Sequence, residues 1–291
     1  MIVVVASIKG APGVTTTATA LASAWPPDRR VLLVEADPFG GDLAAWFGVA
    51  PTTGLWSLLA AGRRGLDPQA VWQHATNLPT GLAVLYGLAG ADQAVANEAA
   101  WPVVAEALTG LGADVVIDAG RLLPHFGGGI GPLLSNSEVL MVLCDPTLAG
   151  IVHLKTSLPL LVPPSSSRQL VMVPTAKKGF SPDEIASTLN IEVAPRIPHD
   201  PKGTAALCAH DIGWAKSKSA LAKWAQSTAT DLSSFPSTSP QVALVETQEP
   251  PSSSESAHLP LGLLVNATEH QTDSLHERDE ESSVDVSVVS P

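Results

Sequence analysis

The chain is short of cysteine, of net positive charge and of long apolar runs, and each shortage excludes something. With only Cys144 and Cys208, both in apolar surroundings and neither at metal-ligand spacing, no disulfide framework or zinc ribbon is expected. They read as reduced core thiols of a cytoplasmic protein. No segment reaches the roughly 20 apolar residues of a spanning helix, and the start lacks a basic region before its short apolar run, so neither a membrane span nor a signal peptide is expected. Sixteen basic against 28 acidic residues leave a formal charge of −12. Most of that lies in residues 231–291, which hold 11 acidic residues and one basic, Arg278. The preceding 230 residues carry only −2, which gives no basic surface for non-specific DNA binding.

What is present is a series of β-branched apolar runs, at Ile2–Ala6, Val31–Glu35, Leu82–Leu85, Val115–Ile117, Val139–Leu143 and Leu170–Val173. They are near-continuously hydrophobic, as strands covered on both faces must be. Helix-compatible stretches separate them: Thr16–Ala24, Leu55–Ala61, Ala91–Gly110, Ile151–Leu161, Pro182–Asn190 and Thr204–Ala209. Strand alternating with helix predicts an α/β domain with a doubly wound, mainly parallel sheet, helices on both faces, and ligands at the C-terminal strand ends. This domain is expected to occupy residues 1–228. Ser, Pro, Thr, Glu and Asp dominate residues 229–291, too poor in apolar area to offset ordering entropy, so a disordered tail is expected. Within it Leu259–Val265 is an apolar island, read either as chance or as a partner-docking motif.

Chemistry concentrates at the opening. Ile2–Val5 leads through a Gly/Pro loop into Thr15, Thr16, Thr17 and an alanine-rich helix. Backbone N–H groups and a helix N-terminus converge there, the requirement for holding a phosphate. A turn with helix-capping threonines needs no ligand, so both readings stand. His199 and Asp200 lie in a Pro-bounded turn without a third metal ligand at useful spacing. Ser165–Ser167 lacks a nucleophile elbow, and Gly10 with Gly13 does not make a dinucleotide fingerprint. Trp214–Trp224, with Lys216, Lys218 and Lys223, reads as a terminal helix on the sheet or an interfacial one.

The loop Lys9-Gly10-Ala11-Pro12-Gly13-Val14-Thr15-Thr16 resembles the deviant Walker A motif of the ParA/MinD family of P-loop ATPases, K-G-G-x-G-K-[ST]-T. Lys9, Gly10, Gly13, Thr15 and Thr16 match; Ala11 and Val14 depart. The resemblance extends over residues 1–226: Val31–Leu43 resembles the segment ending in D-x-D, with Asp37 second and Glu35 replacing the first acid; Ala113–Ala119 resembles the Walker B strand with Asp118 at its end; Arg196–Pro201 resembles the closing IP-x-D-P turn. Gly40–Ala44 and Asp118–Arg121 are most similar to the CpaE/TadZ branch, associated with localising pilus and secretion machinery. The resemblance implies a P-loop NTPase-like fold binding ATP and Mg²⁺. Gly10 to Thr16 would cradle the phosphates, with Pro198 and Asp200 at the rim of the nucleotide site. Thr15, Asp37 and Asp118 would serve the metal, Asp37 would also orient the attacking water, and Lys9 would reach across a homodimer to the partner's phosphates. Further partners implied are proteins of a localisation or secretion assembly, with peripheral membrane association as an option and DNA disfavoured. Val14 removes the lysine that contacts the β- and γ-phosphates, and Pro174-Thr175 stands where an adenine-reading asparagine is common. Impaired hydrolysis is therefore expected, with a nucleotide-free scaffold or a partition ATPase as alternatives.

Overall fold

The computed structural model describes residues 1–10, 13–122, 129–162, 167–175 and 178–235. Ala11, Pro12, Ser165, Ser166, the island at 259–265 and nearly all of the expected tail lie outside the described residues. Among the described residues eight strands form one sheet: β1 (Ile2–Ser7), β2 (Val31–Glu35), β3 (Thr76–Asn77), β4 (Ala83–Leu85), β5 (Asp114–Arg121), β6 (Val139–Cys144), β7 (Gln169–Pro174) and β8 (Glu192–Val193), in the order β3-β4-β2-β5-β1-β6-β7-β8. All pairings are parallel except β3 with β4. The doubly wound, mainly parallel sheet expected from the β-branched runs is what forms, with an antiparallel edge of two residues too short to announce itself.

Side-chain alternation along β1 explains the two-layer core. Ile2, Val4 and Ala6 face one apolar cluster, while Val3 and Val5 face the other. The first cluster is completed by α3 (Leu55–Gly62), α6 (Trp101–Thr109), α7 (Ile130–Ser135), α8 (Leu148–Leu161) and α9 (Pro182–Leu189). The second is completed by α1 (Val14–Ser23), α10 (Pro201–Cys208) and α11 (Ala220–Ser233). Short helices α2 (Leu43–Trp46), α4 (Val71–His74) and α5 (Ala91–Ala96) fill the β2–β5 connections.

One expected helix is two. The stretch Ala91–Gly110 breaks into α5, a 3₁₀ turn at Glu98–Ala100, and α6. Pro102 lacks an N–H and suits only a helix start, so it opens α6 rather than continuing α5. Arg63 fastens the break by donating to Ala96 O at 3.3 Å and Asn97 Oδ1 at 2.9 Å. Helix α9 begins with a reciprocal capping box between Ser181 and Glu184. Helix α11 runs on past residue 228 to Ser233, because Leu232 is buried and Arg29 donates to Ser233 O at 2.6 Å. Its buried face carries Leu221, Trp224, Ala225 and Ala229, and Lys223 is exposed, so it packs as a terminal helix on α1. Both cysteines are free. Among the described residues no helix is long and apolar enough to cross a membrane.

Candidate functional site at the C-terminal strand ends

Strand β1 delivers the chain to the C-terminal edge of the sheet, and α1 carries it away. Between them Gly10 (φ 72°) and Gly13 (φ 102°) adopt left-handed backbone that β-carbons resist. Open space lies where a Cβ on Gly13 would stand. Gly13 is the N-cap of α1, and among the described residues no side chain caps that terminus or accepts from the orphan N–H groups of its first turn. Thr17 hydroxyl is committed elsewhere, donating to Gly13 O at 2.6 Å. Thr15 and Thr16 are half-buried. Val14 sinks into the apolar cluster beneath the loop.

Opposite this terminus stand the ends of β2 and β5. Ala36 N–H donates to Asp118 O at 2.7 Å, which brings Asp37 beside Asp118. Gly120 (φ 54°) makes the approach possible, since a Cβ there would lie 1.8 Å from Asp37 Oδ2. Asp118 is almost fully buried; its Oδ1 accepts from Gly120 N–H at 3.0 Å, while Oδ2 has no partner among the described residues. Burial pushes the Asp118 carboxyl up to about 7; the neighbouring Thr15 hydroxyl and the Gly120 amide oppose the rise, and the charges of Glu35 and Asp37 add to it. Asp37 is half-buried, accepts from Phe39 N–H at 2.8 Å, and is raised chiefly by burial.

Glu35 does different work. Its Oε1 accepts from Asp42 N–H at 2.6 Å and Leu43 N–H at 2.8 Å, and Oε2 accepts from Gly87 N–H at 2.9 Å. A Cβ on Gly41 would lie 2.2 Å from Glu35 Oε2, and one on Gly87 would lie 2.9 Å from the side chain. The carboxylate is thus a clasp that fixes the loop carrying Asp37. The Gly40–Gly41 pair was a visible signal of close approach, but what approached was legible only in three dimensions.

Lys9 is exposed and, with Gly10, borders a cavity of about 250 Å³ also lined by Cys144, Asp145 and His153. Thr175 hydroxyl is occupied by the Asp145 carboxylate. Pro198 follows Ile197, whose N–H donates to Pro174 O at 3.2 Å, at the end of β7. Asp200 caps two helices: Oδ1 accepts from Gly203 N–H at 2.9 Å, and Oδ2 accepts from Ser219 hydroxyl at 2.6 Å and Leu221 N–H at 3.2 Å. The Ser219 hydroxyl and these amides hold its carboxyl down at about 2. The fold therefore gathers Gly10, Gly13, Thr15, Asp37 and Asp118 at one edge, whereas both Asp200 oxygens are engaged in capping. No group of three or more His, Cys, Asp or Glu among the described residues is arranged to hold a metal. The donor set fits magnesium in another way: a hydroxyl, a buried carboxylate oxygen lacking a donor and an uncapped helix start suit a cation that arrives with a phosphate.

No family model matches the chain, and no curated protein matches it. Solved structures do. A ParA family ATPase from Chlorobium tepidum TLS superposes with a TM-score of 0.65 at 20% identity, over 79% of this chain and 98% of that one. The septum site-determining protein MinD from Pyrococcus horikoshii OT3, complexed with Mg-ADP, gives 0.64 at 18%, over 83% and 99%. The MinC:MinD cell division complex of Aquifex aeolicus gives 0.58 at 17%, over 80% and 95%. The fold is that of the ParA/MinD P-loop NTPases.

Proposed function

We propose that this chain is a nucleotide-binding positioning or assembly factor of the MinD/ParA kind, one that takes Mg-ATP at the β1–α1 loop and hydrolyses it slowly or not at all. The observation that carries the reading is the uncapped N-terminus of α1, which opens on a positive-φ glycine opposite a buried aspartate with an unpartnered oxygen. The Mg-ADP in the complex of MinD from Pyrococcus horikoshii OT3 supports it. The loop residues Gly10, Ala11, Pro12, Gly13, Val14, Thr15 and Thr16 would hold the phosphates, with Pro198 and Asp200 toward the rim of the site. Thr15 hydroxyl, Asp37 and Asp118 hold the ion, and Asp37 also orients water. Bound Mg-ATP supplies the phosphate to be cleaved. The chain's own shortfall is at Val14, where a lysine ammonium would contribute about 1.5–3 kcal/mol to holding the phosphates, and more in the transition state.

In this reading Lys9 of one protomer reaches the partner's phosphates in a homodimer, and the dimer recruits proteins of a pilus or secretion assembly, as CpaE/TadZ-like factors do. The same reading makes the protein cytoplasmic, with peripheral contact to the inner face of the membrane as a further option. The MinC:MinD complex supports recruitment of a protein partner. A nearly neutral domain disfavours the partition-ATPase alternative. A nucleotide-free scaffold is the second reading, favoured by the burial of Val14 in the core. Mass in solution with and without Mg-ATP tests the proposal. A shift to dimer with Mg-ATP that is lost in Lys9→Ala is expected; a monomer under both conditions contradicts the dimer.

A further inference from the structure

Phosphates at the start of α1 would stand close to the carboxylates of Asp37 and Asp118, so the site needs positive charge of its own. The loop supplies little of it. Val14 is buried in the core, and Lys9 borders the cavity at the start of α8. Strand β5 offers another cation. Its first seven residues are buried, and the eighth, Arg121, is exposed.

A bulge decides where this side chain goes. Val5 pairs with Asp118 and Ser7 with Arg121, so two steps along β1 match three along β5. The extra residue falls at Ala119–Gly120, where Gly120 takes φ 54°. Bulges are rare between parallel strands, and beside functional sites they re-aim a side chain. Side chains alternate with period two, so Val5 and Ser7 share a face and so do their partners. Without the bulge Gly120 would stand opposite Ser7, and Arg121 would turn to the other face. With it, Arg121 joins Asp118 on the face that α1 covers.

The stem then reaches the glycine loop. Arg121 Cδ lies 3.8 Å from where a Cβ on Gly10 would stand, an ordinary van der Waals contact. Asp37 and Asp118 lie at the same edge, yet Arg121 makes no ion pair or hydrogen bond among the described residues. Its N–H donors are uncommitted, in a planar fork that matches two phosphate oxygens. Across the loop, the buried Asp118 Oδ2 is likewise without a partner among the described residues.

We propose that Arg121 supplies, from β5, the phosphate-binding cation that the β1–α1 loop lacks at Val14. Its guanidinium closes on phosphate oxygens of the bound nucleotide while Asp118 serves the metal. Arg121 has this role only where the loop takes Mg-ATP, so it rests on that reading.

Titration of the full chain with a fluorescent ATP analogue and Mg²⁺ tests this, with inorganic pyrophosphate and adenosine as competitors. Arg121→Gln is expected to weaken the analogue about tenfold, or roughly 1.4 kcal/mol. The melting temperature of the nucleotide-free chain is expected to hold, because the side chain is exposed and unpaired. Pyrophosphate is expected to weaken by the same factor and adenosine not at all. Arg121→Lys keeps the charge without the fork and is expected to fall between. Adding Val14→Lys to Arg121→Gln is expected to restore wild-type affinity, since either cation serves the same phosphates. Undiminished binding by Arg121→Gln, beside a wild type that binds, overturns the role of Arg121 and leaves the nucleotide reading standing. A loss that adenosine shares, or that Val14→Lys does not offset, overturns it too, as does binding that appears only with Val14→Lys. Absence of binding by both the wild type and Val14→Lys overturns the nucleotide reading and the role of Arg121 together.

Discussion

Strand β5 carries two buried aspartates, Asp114 at its first position and Asp118 four residues further on, and the two could hardly be treated more differently. Asp114, at the N-terminal end, accepts from Arg29, from Trp25 Nε1 at 2.8 Å and from the terminal ammonium of Met1 at 3.1 Å. Burial alone raises its carboxyl, but Arg29, Trp25 and the ammonium outweigh it, and the net displacement is downward. Asp118, toward the C-terminal half of the strand, is pushed up to about 7 chiefly by burial and further by the charges of Glu35 and Asp37, against the Thr15 hydroxyl and the Gly120 amide. The same residue type on the same strand is a structural lock at one pole and an unsatisfied group at the other. A fold tolerates such a group where it serves a ligand.

Breaking the lock has the largest expected effect. Asp114→Ala leaves the Arg29 guanidinium and the Met1 ammonium without their partner, and about 3 kcal/mol of stability is expected to go, read by urea denaturation. The opposite pole gives the opposite sign. The unfolded Asp118 carboxyl loses its proton near 3.8 and the folded one near 7, so between those values the folded state binds more protons. Stability from this group therefore falls as pH rises through that window, by up to about 1.4 kcal/mol per pH unit. Asp118→Asn removes that slope and is expected to melt higher than wild type at pH 8, while losing magnesium-dependent nucleotide binding. A melting temperature lowered at pH 8 contradicts the contrast.

Val14→Lys sharpens the comparison from across the loop. The ammonium must snorkel from a buried position to the phosphates, and Mg-ATP affinity is expected to rise about tenfold, or 1.4 kcal/mol. Nucleotide titration of the variant reads this directly. The smallest effect belongs to the helix caps. Ser219→Ala removes the hydroxyl donated to Asp200 and is expected to cost about 1 kcal/mol in thermal or urea unfolding, with nucleotide affinity unchanged.

How much of this was legible follows from the range of each interaction. The core strands declared themselves because β-branched runs buried on both faces have no other use. The glycine loop declared itself through local order, strand then Gly10 and Gly13 then threonines. The break in Ala91–Gly110 hid behind continuous helical patterning, although Pro102 marked it. Asp114 gave no sign, since its partner Arg29 lies 85 residues away and chain order does not reveal the meeting. Asp37 and Asp118 were chosen by resemblance; that Gly120 permits their approach, and that Glu35 is spent on three backbone amides, are facts of packing. Likewise Val14 was read as a missing cation, whereas the fold also makes it a core residue.

The central claim is that the edge bearing Gly13, Thr15 and Asp118 takes a magnesium nucleotide. Equilibrium titration of the full chain with a fluorescent ATP analogue, with and without Mg²⁺, tests it most directly. Saturable binding that requires Mg²⁺ and weakens in Thr15→Ala is the expected result. Absence of binding in both the wild type and Val14→Lys contradicts the claim and leaves the fold as a scaffold.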